Sequence, residues 1–185
     1  METSFPINKA KDVLLDTNII QYFFSRPDDL AKQILQHLAV IKEIGSILAI
    51  SDITIYELIS GSNISTESKA LQAVESLKKF PVESDLILAS SRMACLYRQK
   101  KVKDPAMADN IIAATSLLRD CIIYSCDKGG FPEPFFHKID QRNLSYKEIT
   151  GKKRTIEAYF VIPDKTLIGQ EYEKRTIQLN LPIPE

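Results

Sequence analysis

The side chains in this sequence best suited to chemistry are carboxylates. Asp16 closes the apolar run VLLD and Asp127 closes CIIYSC, while Glu57 lies in ITIYELIS and Asp109 in ADNIIAATSLL. Signatures of other chemistries are missing. There is no GxSxG nucleophile turn, no Walker-type or GxGxxG phosphate loop, and no HExxH zinc helix. The two histidines, His37 and His137, are far apart in the chain, and His37 inside a helical pattern reads as structural rather than catalytic. Cys95, Cys121 and Cys126 are an odd number without zinc-type spacing, and read as reduced thiols.

Converging carboxylates have a definite chemistry. One ionised pair at 4 Å repels by about 4 kcal/mol at an effective dielectric of about 20. Either some of the acids stay protonated or cations sit among them. Oxygen donors without His or Cys favour Mg²⁺ or Mn²⁺ over zinc. Such ions generate a hydroxide and stabilise charged oxygens during in-line attack on a phosphodiester. Each acid also has a purely local explanation. Asp16 suits an N-cap, and Glu57, three residues after Thr54, suits a capping box. Asp109 shares a stripe with Ser116 and Asp120 that would face water, and Asp127 before Lys128-Gly129-Gly130 suits a turn. Taken singly, none decides the matter.

The elements that must position these acids follow from apolar spacing. VLLD (13–16), ILAIS (47–51) and CIIYSC (121–126) are short apolar runs and read as buried strands. Between them, a helix over 18–25 ends at Pro27. A second covers 29–44 through Leu30, Ile34, Leu38 and Ile41 and ends at Gly45. A short helix surrounds ITIYELIS, two more occupy 67–79 and 84–101, and Asp104-Pro105 reads as the N-cap and first residue of a helix to Arg119. Strands that are apolar throughout, alternating with helices, indicate a parallel sheet covered on both faces. Ligands in such folds sit beyond the carboxyl ends of the strands, where Asp16 and Asp127 fall. After residue 144 the pattern changes. RTIEAYFVI (154–162) and RTIQLNL (175–181) read as an added hairpin or pair of edge strands. This divides the chain into a domain over 1–144 and a β-rich extension over 145–185. That extension packs on the domain or on a partner, and a chain ending near Ser145 would keep the carboxylate site.

LLDTN (14–18), ITIYELISG (53–61), ADNIIAATSLL (108–118) and YSCDKGGF (124–131) resemble, in order and rough separation, the successive motifs of the PIN-domain family. The resemblance implies a PIN-like three-layer α/β/α fold with a central, mainly parallel sheet, here with a C-terminal β extension. It implies Mg²⁺ or Mn²⁺ bound through four acids, and cleavage of RNA, with VapC-like toxins as one large group of relatives. Position by position, Asp16, Glu57, Asp109 and Asp127 would be the four acids, both catalytic and metal-binding. Asn18 and Ser125 would orient them from behind. Many relatives carry a further acid just before the last aromatic, where this chain has Gly129-Gly130 before Phe131.

Composition sets the remaining bounds. The 185 residues include 24 basic and 24 acidic side chains, so no global field draws in nucleic acid. A local basic run, Arg92, Arg98, Lys100, Lys101 and Lys103, precedes the Asp109 helix. Arg98, Lys100, Lys101 and Lys103 are candidate contacts to RNA phosphates. Tyr22, Phe23 and Phe24 suit core packing better than base stacking. No signal peptide or membrane-length apolar run is visible, so a cytoplasmic protein is expected. The reading is a metal-dependent endoribonuclease with RNA as substrate, an antitoxin-like protein partner and a homodimer as possible assemblies. Its rivals are a catalytically silent PIN-like RNA- or protein-binding module, and a DNA-directed nuclease or phosphatase using the same metal chemistry. A phosphatase of the two-aspartate kind would want Asp where Asn18 stands.

Overall fold

Short aliphatic runs form the strands and longer amphipathic segments the helices of this computed structural model, which describes residues 11–25 and 28–178. The chain begins β1 (Val13–Leu15), α1 (Thr17–Ser25), α2 (Asp28–Glu43), β2 (Leu48–Ser51), α3 (Asp52–Ser60) and α4 (Ile64–Glu75). It continues β3 (Lys78–Phe80), α5 (Ser84–Gln99), α6 (Met107–Arg119) and β4 (Ile122–Ser125). It closes with β5 (Phe136–Lys147), β6 (Lys153–Pro163) and α7 (Lys165–Gln178).

All six strands share one sheet in the order β3-β2-β1-β4-β6-β5. The first four are parallel to one another, whereas β6 runs antiparallel to both β4 and β5. Strand alternation sorts the core into two halves. Leu14, Ala49, Ile123, Tyr159 and Val161 face α5, α6 and α7, meeting Leu86, Met93, Leu96, Ile112 and Ile168. Val13, Leu15, Ile50, Tyr124 and Phe160 face α1, α2 and α4, meeting Ile19, Ile34, Ile41 and Val74. Helices therefore cover both faces of a mixed, mostly parallel sheet, which is the three-layer α/β/α architecture expected from the alternating pattern.

Several sequence expectations need correction. Residues 78 and 79, assigned above to the end of a helix, form the edge strand β3 together with Phe80; only Phe80 is buried, so no apolar pattern marked it. Residues 175–178 continue α7 instead of starting a strand, because Lys165–Gln178 forms one helix whose Ile168 packs into the core. Residues 179–181 of that run, and Pro27 at the expected end of α1, lie outside the described residues. The helix carrying Asp109 starts at Met107, not Pro105. Asp104 is diverted from capping because its carboxylate accepts from Arg98 at 2.8 Å and Asn110 at 3.4 Å.

β5 is an unexpected strand, mostly polar, and position 145 falls inside it. β6, which covers the run RTIEAYFVI, lies within the sheet between β4 and β5, and the Phe160 ring stacks on Tyr124 with centroids 4.4 Å apart. At Ser145, the Gln33 side-chain amide from α2 donates to the backbone carbonyl at 2.6 Å and accepts from the backbone N–H at 3.1 Å. His37, also on α2, contacts the Tyr124 hydroxyl at 2.7 Å through Nδ1, which is a packing role. Burial, followed by the Arg142 charge, lowers its pKa. Tyr22 packs against the same half of the core, while Phe23 lines a groove with Ile19 and Leu38. Among the described residues, no helix is long and apolar enough to cross a membrane.

Candidate active site

Asp16 follows β1 directly, and its backbone N–H donates to Tyr124 O at 3.0 Å, extending the β1–β4 pairing by one residue. The side chain is thereby held at the carboxyl edge of the sheet, where it is only 3% exposed. One oxygen, Oδ2, is fixed twice: Ser125 Oγ donates to it at 2.5 Å and Asn18 Nδ2 at 2.6 Å. Asn18 is itself oriented, since its Oδ1 accepts from the Cys126 N–H at 2.8 Å and its Nδ2 also reaches Ser125 Oγ at 3.2 Å. Ser125 Oγ in turn accepts from the Asp127 N–H at 2.8 Å. The two residues expected to stand behind the first acid therefore both touch Asp16.

The other three acids arrive from separate elements. Glu57 is on α3 and accepts from Thr17 Oγ1 at 2.5 Å, across forty residues of sequence. It forms no capping box with Thr54, because α3 begins after Ser51 and Thr54 is buried inside the helix. Asp109 lies in the first turn of α6, where its Oδ2 accepts from the Ala106 N–H at 3.3 Å. Ala106 has no side-chain acceptor to return the contact, so only half of a capping box exists. Asp127 follows β4 by two residues, and its Oδ1 accepts from the Gly129 N–H at 2.7 Å, an Asx-type turn. Asp109 and Asp127 thus keep local duties with one oxygen each.

Electrostatics ties the set together. Burial raises the Asp16 carboxyl to about 7, opposed by the Ser125 hydrogen bond and reinforced by the charge of Asp109. Burial also raises Asp109 to about 6, followed by the charge of Asp127; Glu57 adds to the rise and Lys103 opposes it. Asp109 is the group through which the other three acids communicate. Among the described residues, no three of His, Cys, Asp and Glu form a group that would grip an ion with the side chains as they stand.

Gly130 explains how Asp109 and Asp127 approach one loop. A Cβ at this position would stand 3.2 Å from Asp109 Cγ and 3.3 Å from Asp127 Oδ2, closer than a side chain there would sit without displacing them. The donor set is all oxygen and strongly acidic, and the glycine lets the backbone approach two carboxylates without displacing them. Those features fit a hard divalent cation.

The basic run divides. Arg98 is paired with Asp104 at 2.8 Å, Lys100 with Glu171 of α7 at 2.5 Å, and Arg92 lies 4.7 Å from the centre of the Tyr172 ring. Lys100 and Arg92 thus link the α5 region to α7, and Arg98 links α5 to the connection that follows it. Lys101 takes a left-handed φ of 54° just after α5, while Lys103 extends toward the acids. Sequence reasoning missed Thr17 and Gly130. Thr17 sits inside the LLDTN motif and Gly130 at a noted departure from the family pattern, but their contacts cross long stretches of chain.

The model of the PIN domain matches residues 13–134, more than half of the chain. The chain belongs to the PIN-domain family. Its members are generally nucleases, and the match spans all four acids of this PIN domain. No curated protein matches the chain. Among solved structures, one chain of a toxin–antitoxin complex from Klebsiella pneumoniae is 26% identical. That alignment covers 66% of this PIN protein and 92% of the other chain, with a TM-score of 0.51. A chain of FitAcB from Neisseria gonorrhoeae is 22% identical, covering 64% and 90%, with a TM-score of 0.49. A chain of VapBC2 from Rickettsia felis, solved bound to a DNA fragment from their promoter, is 19% identical, covering 59% and 82%, with a TM-score of 0.49.

Proposed function

We propose that this PIN protein is an endoribonuclease that hydrolyses RNA phosphodiesters with Mg²⁺ or Mn²⁺ held by Asp16, Glu57, Asp109 and Asp127. The observation that carries the reading is the buried Asp16, fixed by Ser125 and Asn18 at the carboxyl edge of a mostly parallel sheet, together with Asp109 and Asp127, which approach one glycine loop. A bound ion would supply the polarised water and offset the charge of the attacked phosphate. The chain's own residues supply the rest. Ser125 and Asn18 hold Asp16 through Oδ2, so its carboxylate would meet an ion in a fixed orientation, and Thr17 orients Glu57. In the reaction, water adds to phosphorus, one bridging P–O bond breaks, and the leaving oxygen takes up a proton. An antitoxin-like protein partner is part of the proposal, supported by the toxin–antitoxin complex from Klebsiella pneumoniae.

The direct test is incubation of labelled single-stranded RNA and DNA with the protein in Mg²⁺, in Mn²⁺ and in chelator. RNA cleavage that needs either ion is expected. Cleavage of DNA alone, or cleavage persisting in chelator, overturns the proposal. The glycine contact gives a second prediction. Gly130→Ala pushes on Asp109 and Asp127 and should weaken Mn²⁺ binding, read by calorimetry, by about 10-fold, the scale of disturbing a ligand's surroundings. Unchanged affinity would remove Asp109 and Asp127 from the ligand set.

A further inference from the structure

A substrate phosphate entering this site meets several acids, and a protein cation beside them would add to the positive charge that a bound ion supplies. Lys103 lies in the connection between α5 and α6 and is exposed. Its Nζ is 3.1 Å from the point a Cβ on Gly129 would occupy, and that same point is 3.6 Å from Asp127 Oδ1. Gly129 therefore gives the ammonium room to lie against the Asp127 turn. The Lys103 charge also reaches Asp109. Three nearby cations are committed elsewhere: Arg98 to Asp104, Lys100 to Glu171, and Lys128, adjacent to Asp127, to Glu157 at 3.1 Å. Among the described residues Lys103 has no ion pair of its own.

We infer that Lys103 is a catalytic residue of this site, lying beside Gly129 of the Asp127 turn in the free protein and holding a non-bridging oxygen of the scissile phosphate when substrate is bound. This assignment rests on the nuclease reading. A lysine ammonium is a compact, mobile point charge on a flexible stem, suited to reaching a phosphate oxygen beside the acids. It keeps its proton throughout and neutralises charge that builds on the phosphoryl oxygens as the bridging bond breaks. The same position makes it a competitor of a divalent ion for the two carboxylates. The role is narrower than that of a basic surface tracking an RNA strand, which would raise KM and leave kcat alone.

The test uses full-length Lys103→Gln and Lys103→Arg. Lys103→Gln should bind Mn²⁺ about 3-fold more tightly, read from the free-Mn²⁺ paramagnetic resonance signal, because a local cation is gone. Its kcat on RNA should fall about 10-fold or more with KM within about 3-fold of wild type, and Lys103→Arg should recover most of the loss. Unchanged Mn²⁺ affinity removes Lys103 from the acids and overturns the inference. A KM effect alone, or an unchanged kcat, overturns the phosphate role. If the wild-type protein cuts neither RNA nor DNA, the nuclease reading fails separately. Inorganic phosphate then decides for Lys103: broadening of its ³¹P signal by protein-bound Mn²⁺ should be strong in wild type and lost in Lys103→Gln, and equal broadening in both refutes the contact.

Discussion

Asp16→Asn is expected to lower RNA cleavage by well over the roughly 100-fold that losing an outer partner of a metal site can cost, and to leave the fold intact. The amide keeps the shape of the carboxylate. Its carbonyl oxygen still accepts from Ser125 Oγ and Asn18 Nδ2, so the local network survives while the charge disappears. Stability should respond in the opposite direction. The folded-state pKa of Asp16 is raised to about 7 from 3.8, chiefly by burial. Between those values the folded protein holds a proton that the unfolded chain has lost, so stability falls as pH rises through that window. In chelator, wild-type Tm should therefore drop between pH 5 and pH 8, and the Asn variant should exceed it at pH 8 by about 5 °C or more. Divalent ions should close that gap for wild type, because ligation takes the deprotonated acid. Thermal melts at the two pH values, with and without Mn²⁺, read all of this. A variant that cuts at the wild-type rate, or a wild-type Tm that rises over this window, would remove Asp16 from the site.

The second large effect concerns the end of the chain. A protein ending at Ser145 should fail to fold, although the sequence pattern alone suggests that it would keep its carboxylates. Such a cut removes β6, which separates β4 from β5, and with it the buried Tyr159, Phe160 and Val161. Each large apolar side chain contributes about 1.5–3 kcal/mol on burial, so the loss approaches the roughly 5–15 kcal/mol that holds an ordinary domain together. Tyr124 also loses its stacked Phe160, one residue before the Ser125 that fixes Asp16. Circular dichroism during heating should show no cooperative transition. A truncated protein that melts near the wild-type temperature would show that the sheet is complete without β6.

What was legible in the sequence is what local pattern encodes. β1, β2 and β4 are buried on both faces, so they appear as unbroken apolar runs, and their carboxyl ends locate Asp16 and Asp127 without any tertiary information. β3 and β5 sit at the two edges, where lysines and other polar residues suffice, and nothing in KKF or FHKIDQRNLSYK stands out from a loop. The segment RTIQ alternates like a strand, yet it continues a helix anchored earlier by Ile168. The site divides in the same way. Asn18 and Ser125 lie within two residues of an acid in sequence, and their contacts to Asp16 follow the motif. The approach of Thr17 to Glu57, and of Lys103 to the Asp127 turn, depends on how α3 and the α5–α6 connection are carried over the sheet. Local spacing carries no record of that.

The amide of Gln33 at Ser145 bears on how the molecule can associate. An edge strand of twelve residues is a template on which another chain can add a strand. Here the outward N–H and C=O of Ser145 already have both their partners in one side chain, so an incoming strand in that register would find neither free. The opposite edge, β3, is three residues long and presents Lys78 and Lys79 to solvent, which discourages the same event. Lengthening of the sheet is thus opposed at both ends. Gln33→Ala would leave both backbone groups of Ser145 open to an incoming strand.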